Sequence, residues 1–262
     1  MVTTSQPAAY YIQTSPDGYL PTVHTQGAWA DDQQHMAPVS GLLIDALERC
    51  APRPDLVMAR VTYDILGVIP LSEVELTSAV IRPGRTIELV EAQLIAGGRP
   101  VVRATAWRLQ RADTSAVAGQ EYRPMRPRDE CDVLDLPLIW DGGFIKSLQY
   151  RTAPGRRPGH AQVWLRSEVD LVADRPTSRL AGTFALIDTA NGIAVREQPG
   201  RVLFPNTDLT VHLFRQPAGE WLGLDVDVAF GADGTGLTAT VLHDEEGPFG
   251  RAAQTLTVRP LG

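Results

Sequence analysis

The chain has 262 residues, 44% of them hydrophobic, 21% charged and 6% aromatic, a composition of folded globular proteins rather than of disordered or fibrous ones. Twenty-four basic against 31 acidic side chains leave a net charge of -7, so no global positive field attracts nucleic acid or an anionic membrane. Cys50 and Cys131 lie far apart without C-x-x-C spacing, which argues against a zinc site or a disulfide scaffold and leaves both as packing residues.

Gly (23) and Pro (20) punctuate short runs of Val, Leu, Ile and Thr, a pattern of many strands and few helices. Residues 1–7 carry no basic segment followed by an apolar run, and no stretch reaches the roughly 18 apolar residues of a membrane span, so a cytoplasmic protein is expected. Residues 10–13, the turn Ser15-Pro16-Asp17-Gly18 and residues 19–24 predict a hairpin. The one clear helix covers 37–50. Val39, Leu42, Leu43, Ala46, Leu47 and Cys50 recur there at three- and four-residue steps, Pro38 suits the first turn, and Pro52 and Pro54 end it. Strands follow at 58–65, 74–82, 86–95 and 100–109, with Pro83-Gly84-Arg85 and Gly97-Gly98 as turns. The stretch from Gln110 to Pro137, rich in Arg, Pro and Asp and poor in periodicity, reads as a linker. Beyond it come strands at 144–152 and 161–170, a helix near 180–194 and a hairpin turn at 244–247.

A shift of 148 residues lays the first meander on the last third of the chain without a gap. Thr62/Thr210, Leu76/Leu224, Val80/Val228, Leu89/Leu237, Leu94/Leu242, Pro100/Pro248, Arg103/Arg251 and Ala104/Ala252 coincide. Eight identities in 43 columns stand against about three expected by chance, which marks an internal duplication. A lone sheet covered by one helix leaves its edge strands unpaired, so two such units should pair edge to edge or share a core. The expected class is α+β, a double hotdog: two curled antiparallel sheets, each wrapped around one long helix. Residues 1–110 form the N-terminal hotdog in this scheme, 111–137 the crossover linker and 138–262 the C-terminal hotdog.

Four segments follow one another in a familiar order: Gln34-His35-Met36-Ala37-Pro38-Val39-Ser40-Gly41-Leu42-Leu43, Ala185-Leu186-Ile187-Asp188-Thr189-Ala190-Asn191-Gly192, Pro205-Asn206-Thr207-Asp208-Leu209-Thr210-Val211-His212 and Ala252-Ala253-Gln254-Thr255-Leu256. In them the chain resembles the type II acyl-CoA thioesterase family, double hotdogs of about this length. The resemblance implies hydrolysis of (fatty) acyl-CoA to free acid and CoA, in fatty acid metabolism, with no cofactor beyond the CoA carried by the substrate. In that family an Asp on the second helix, a Ser or Thr at the start of the next strand and a Gln on the last strand orient a water against the thioester. Asp188 and Gln254 match the first and third positions. Asn206 falls in the hydroxyl column, with Thr207 beside it, a departure from the pattern. These four are the candidate catalytic residues, and His35, just before the first helix, is the candidate substrate contact.

The chemistry is coherent on its own terms. A thioester is hydrolysed through a tetrahedral oxyanion, which requires a group that takes a proton from water and donors aimed at the developing charge. No metal is required. The 148-residue shift sets Met58 against Asn206 and Ala106 against Gln254, so a single working site is expected in the second unit. On the helix the ungapped shift sets Ser40 against Asp188, whereas a five-residue gap sets Asp45 there. Taken alone, Gln254 would be a solvated strand residue, Asn206 and Thr207 turn residues and His212 a structural one. Arg123, Arg126, Arg128, Arg156 and Arg157 are solvated loop charges or, in a coenzyme A enzyme, the available phosphate partners. Two competitors stand beside hydrolysis. One is an acyl-CoA-binding hotdog of weak activity, favoured by Asn206; the other is a hotdog enoyl-CoA hydratase, disfavoured because no Asp-x-Asn-Pro-x-His pattern is present. The expected partner is a small-molecule acyl-CoA, with neither nucleic acid nor membrane, and a homodimer is left open.

Overall fold

Residues 9–136 and 139–261 are described in a computed structural model of the chain. The expectation drawn from residues 1–7 lies outside them, as does the junction at 137–138 between the expected linker and C-terminal unit. The first half runs β1 (Ala9–Gln13), β2 (Gly18–Pro21), α1 (Met36–Arg49), β3 (Leu56–Ile65), β4 (Val74–Arg82), β5 (Ile87–Ala96) and β6 (Arg99–Gln110). The second begins with β7 (Asp132–Val133), α2 (Gly143–Lys146), β8 (Leu148–Thr152), β9 (His160–Ser167), β10 (Asp170–Val172), α3 (Arg179–Ile187) and α4 (Ala190–Ile193). It ends with β11 (Val202–Leu203), β12 (Asp208–Leu213), β13 (Leu222–Phe230), β14 (Thr235–Asp244), β15 (Gly247–Thr257) and β16 (Arg259–Pro260).

The α1 helix forms where its apolar period demands. His35 caps it, Nδ1 accepting the Ala37 N–H at 3.0 Å; its inward residues, from Val39 to Leu47, are buried. It stops where Ala51 turns left-handed (φ 44°) and Pro52 bars continuation. The α1 helix crosses α3 closely, because Gly41 offers no side chain: a Cβ there would stand 2.6 Å from Ala185 Cβ. The α3 helix has its own cap, the Ser178 hydroxyl accepting the Ala181 N–H at 3.0 Å.

Among the described residues fourteen strands make one continuous sheet, in the order β10-β1-β2-β4-β5-β6-β3-β12-β15-β14-β13-β9-β8-β7, antiparallel except where β1 meets β10. The halves join through β3 and β12. Thr62 faces Thr210 at the centre of that seam, their hydroxyls 3.4 Å apart, and the pairs on either side, such as Asp64 with Asp208 and Arg60 with His212, are related by the same 148-residue offset. The offset recurs in the hairpins: β5–β6 slips register between Leu94 and Ile95, and β14–β15 slips between Leu242 and His243. A bulge repeated at equivalent positions carries the duplication beyond sequence identity.

The two halves of the sheet join edge to edge as expected, with α1 against β4 and β5 and α3 against β13 and β9. Two expectations are corrected. The second helix is not long: it breaks at Asp188 and Thr189, both poor helix formers, and resumes only for the single turn α4, which contains the equally poor Asn191 and Gly192. Residues 144–146, expected in a strand, belong to the turn α2 (Gly143–Lys146), entered through Gly142 at φ 125°, a conformation that glycine alone adopts readily.

Candidate active site

The break in the second helix positions the site. Asp188 is the first residue past α3, and the Thr189 N–H closes back on the Leu186 carbonyl at 3.1 Å, a turn tighter than α-helix. Asp188 is buried, which for a carboxylate demands partners. Its Oδ1 has two: Asn206 Nδ2 and Gln254 Nε2 each donate to it at 2.8 Å. Among the described residues its Oδ2 accepts from no donor, and it faces His35 Nδ1 at 3.7 Å. Burial pushes the Asp188 carboxyl up to about 6, against the smaller downward pull of the two amides. Burial also lowers His35, to about 4. Since Nδ1 already accepts the Ala37 N–H, the neutral ring carries its hydrogen on Nε2, and the contact with Asp188 is no ion pair near neutral pH.

Each partner arrives for a local reason. Gln254 lies on β15 between the inward Ala252 and Leu256, so strand alternation turns it to the core, not to the solvated face that its polarity alone suggests. Asn206 sits in the turn between Phe204 and β12, and its second amide hydrogen goes to the Asp208 carbonyl at 3.1 Å. Thr207 is elsewhere: exposed, its hydroxyl 3.5 Å from the Thr255 carbonyl. His35 comes from the other half of the chain, its ring packed on Phe144 at 4.5 Å between centroids. The structure thus brings together Asp188, Asn206, Gln254 and His35, and leaves Thr207 outside. His212 is exposed between buried Val211 and Leu213. Arg126 pairs with Glu130, Arg128 with Asp129 and Glu245, and none of these lines the cavity at Asp188.

That cavity holds about 40 Å³. His35, Asp188, Thr189 and Asn206 form its polar side, while Trp29, Trp140 and Phe204 form the aromatic one, with centroids 5.0, 5.4 and 6.0 Å apart. The space accommodates a water but no acyl chain, and Trp29 in its aromatic wall is 43% exposed. A larger groove of about 570 Å³ runs beside α3 toward Trp221 but does not include Asp188. Sequence reasoning missed Thr189, Asn191 and, in the aromatic wall, Trp29 and Phe204. Asn191 holds the Phe204 carbonyl at 3.1 Å and so ties the broken helix to the turn bearing Asn206. The signal was present, since Thr-Ala-Asn-Gly interrupts a helical period just after the one acidic residue in it.

The first half contains the same place in altered form. The caps His35 and Ser178 are 143 residues apart, as are Asp45 and Asp188, so the gapped register is correct and Asp45, not Ser40, is the counterpart. Asp45 is held by Arg49 and Arg175 at 2.9 and 2.7 Å. Both arginines bind Asp45 Oδ2, and with Met58 and Ala106 at the positions offset by 148 residues from Asn206 and Gln254, those two amides have no counterpart there.

The profile of the acyl-CoA thioesterase N-terminal domain matches residues 25–109, and that of its C-terminal domain matches residues 127–258. No curated protein matches the sequence. Among solved structures, a hot dog fold protein from Alicyclobacillus acidocaldarius is 12% identical, with a TM-score of 0.75 over 97% of this chain and 98% of that one. The acyl-CoA thioesterase II TesB2 of Mycobacterium marinum is 14% identical, with a TM-score of 0.69 over 97% and 96%. The tesB protein of Mycobacterium avium subs paratuberculosis is 15% identical, with 0.66 over 95% and 96%. At such identities these likenesses establish the hotdog fold. The two domain profiles, spanning most of the sequence, place the chain in the acyl-CoA thioesterase family.

Proposed function

We propose that the protein hydrolyses the thioester of a (fatty) acyl-CoA at one site, built around Asp188. The observation that carries this reading is the buried carboxylate with one oxygen fixed by two amides and the other free toward a water-sized space. Water in that space gives a proton to Asp188 Oδ2 while its oxygen bonds to the thioester carbon and the carbonyl becomes an oxyanion. Collapse of the oxyanion breaks the C–S bond, and the proton held by Asp188 passes to the thiolate, leaving acid and CoA. Asn206 and Gln254 keep Oδ1 occupied, so only Oδ2 serves as base. The neutral His35 ring offers Nε2–H as a substrate donor, and the α1 N-terminus behind it favours negative charge on this side. The step asks for no metal or redox group. In this scheme residues 1–110 and 138–262 are two hotdogs, each half of the sheet curling around its own helix, with 111–137 crossing between them and only the second half reactive.

One observation favours a second reading, an acyl-CoA binder of little activity: Asn206 spends both amide hydrogens, on Asp188 and Asp208, and cannot donate as a hydroxyl would. Thiol release across a panel of acyl-CoA chain lengths separates the two. Hydrolysis, with a rate that rises as pH passes through about 6 and ionises Asp188, supports the first. Tight binding without thiol release supports the second.

A further inference from the structure

We propose that the Thr189 hydroxyl is a catalytic group of this site, hydrogen-bonding the attacking water from the helix side. The proposal rests on the hydrolysis reading above and deepens it. Asp188 Oδ2 can take a proton from water but cannot alone fix its direction; a buried water is held by two to four polar groups. Asn206 has no hydrogen left to donate, and one of the two Gln254 amide hydrogens is held by Asp188 Oδ1.

Thr189 is 1% exposed and lines the cavity beside Asp188, yet its Oγ1 has no hydrogen-bond partner among the described residues. Three other buried side-chain atoms among the described residues share that condition, Arg60 Nε, Thr240 Oγ1 and His243 Nε2, and none belongs to this cavity. The cause lies in the backbone. A threonine inside a regular helix returns its hydroxyl to the carbonyl four residues back, whereas here the chain tightens and the Thr189 N–H takes the carbonyl three back, leaving the hydroxyl free. A buried hydroxyl without a partner is a standing cost to the fold, and such groups call for a partner that binds in function. β-Branching restricts Thr189 to few rotamers, so the direction of its hydroxyl is fixed before substrate arrives. The water then gives one hydrogen to Asp188 Oδ2 and is held by Thr189 Oγ1, which leaves a lone pair for the thioester carbon.

The test compares Thr189→Val, Thr189→Ser and the unsubstituted protein in steady-state acyl-CoA hydrolysis and thermal melting. Val keeps the shape and deletes the hydroxyl; Ser keeps the hydroxyl. Expected is a 10- to 100-fold fall in kcat for Thr189→Val with KM and melting temperature nearly unchanged, and kcat within threefold for Thr189→Ser. Full kcat in Thr189→Val overturns the proposal and leaves the hydrolase reading intact. Absence of thiol release from the unsubstituted protein overturns both. If Thr189→Val fails to fold, Thr189→Ala against Thr189→Ser decides: loss in Ala alone supports the hydroxyl, and equal rates overturn it.

Discussion

Asp188 sits in conflict with its surroundings: burial favours the neutral acid, while water activation needs the carboxylate. The folded carboxyl ionises near 6 and the free one at 3.8, so its protonated form stabilises the fold fully below pH 3.8, and that contribution is lost as pH rises through about 6. His35 acts in the opposite sense: with a folded value of about 4 against 6.5, its contribution is present above pH 6.5 and lost as pH falls through 4. Asp188→Asn keeps an oxygen to accept both amides and removes the buried charge. It should therefore stabilise the protein at pH 7 by about 1–3 kcal/mol, a difference that fades toward pH 4 in thermal melts. A variant less stable than the parent at pH 7 would mean that the carboxylate is satisfied as it stands. At this scale the sequence reveals residue types but not directions. Asp188 stood out as the lone acid in an apolar helix, whereas Gln254 looks like a solvated strand residue until strand parity turns it inward, and Thr207 lies in the bend before β12, exposed.

At the scale of elements, α1 could be read almost to its ends, because a 3.6-residue apolar period, an early proline and a terminal proline pair agree. The second helix was overextended: Leu186, Ile187, Ala190 and Ile193 continue the period across the break, and period alone does not register the tightened turn that presents Asp188 and Thr189. Nor does it register the close crossing of the helices, which depends on Gly41 meeting Ala185 across the core. Gly41→Ala places a Cβ where neither the Ala185 side chain nor the Ala181 carbonyl, 2.8 Å away, leaves room. The expected cost is about 1–3 kcal/mol in urea unfolding, despite the better helix propensity of alanine. A neutral or stabilising result would show that the helices separate freely and would remove α1 as the fixed support of His35.

For the whole molecule, the duplication was legible because sheet registers preserve spacing: the offset of 148 holds across the meander, the seam at Thr62 and Thr210 and the paired bulges. The helix offset of 143 was ambiguous, since the extra five residues fall in the irregular segment between α4 and β12, where no period marks them. Joining the sheets through β3 and β12 makes the halves one body, and it places a cap from the first half against a carboxylate of the second. The carboxylate held by two amides stands in the second half, while its counterpart Asp45 in the first half joins a pair of ion bridges. The most direct measurement is kcat for thiol release from acyl-CoA by the Asp188→Asn and Asp45→Asn variants beside the parent protein. The account expects a loss of about 100- to 10,000-fold in the first, the range for removing a general base, and a rate within twofold of the parent in the second. Undiminished turnover in Asp188→Asn, or its collapse only in Asp45→Asn, would contradict it.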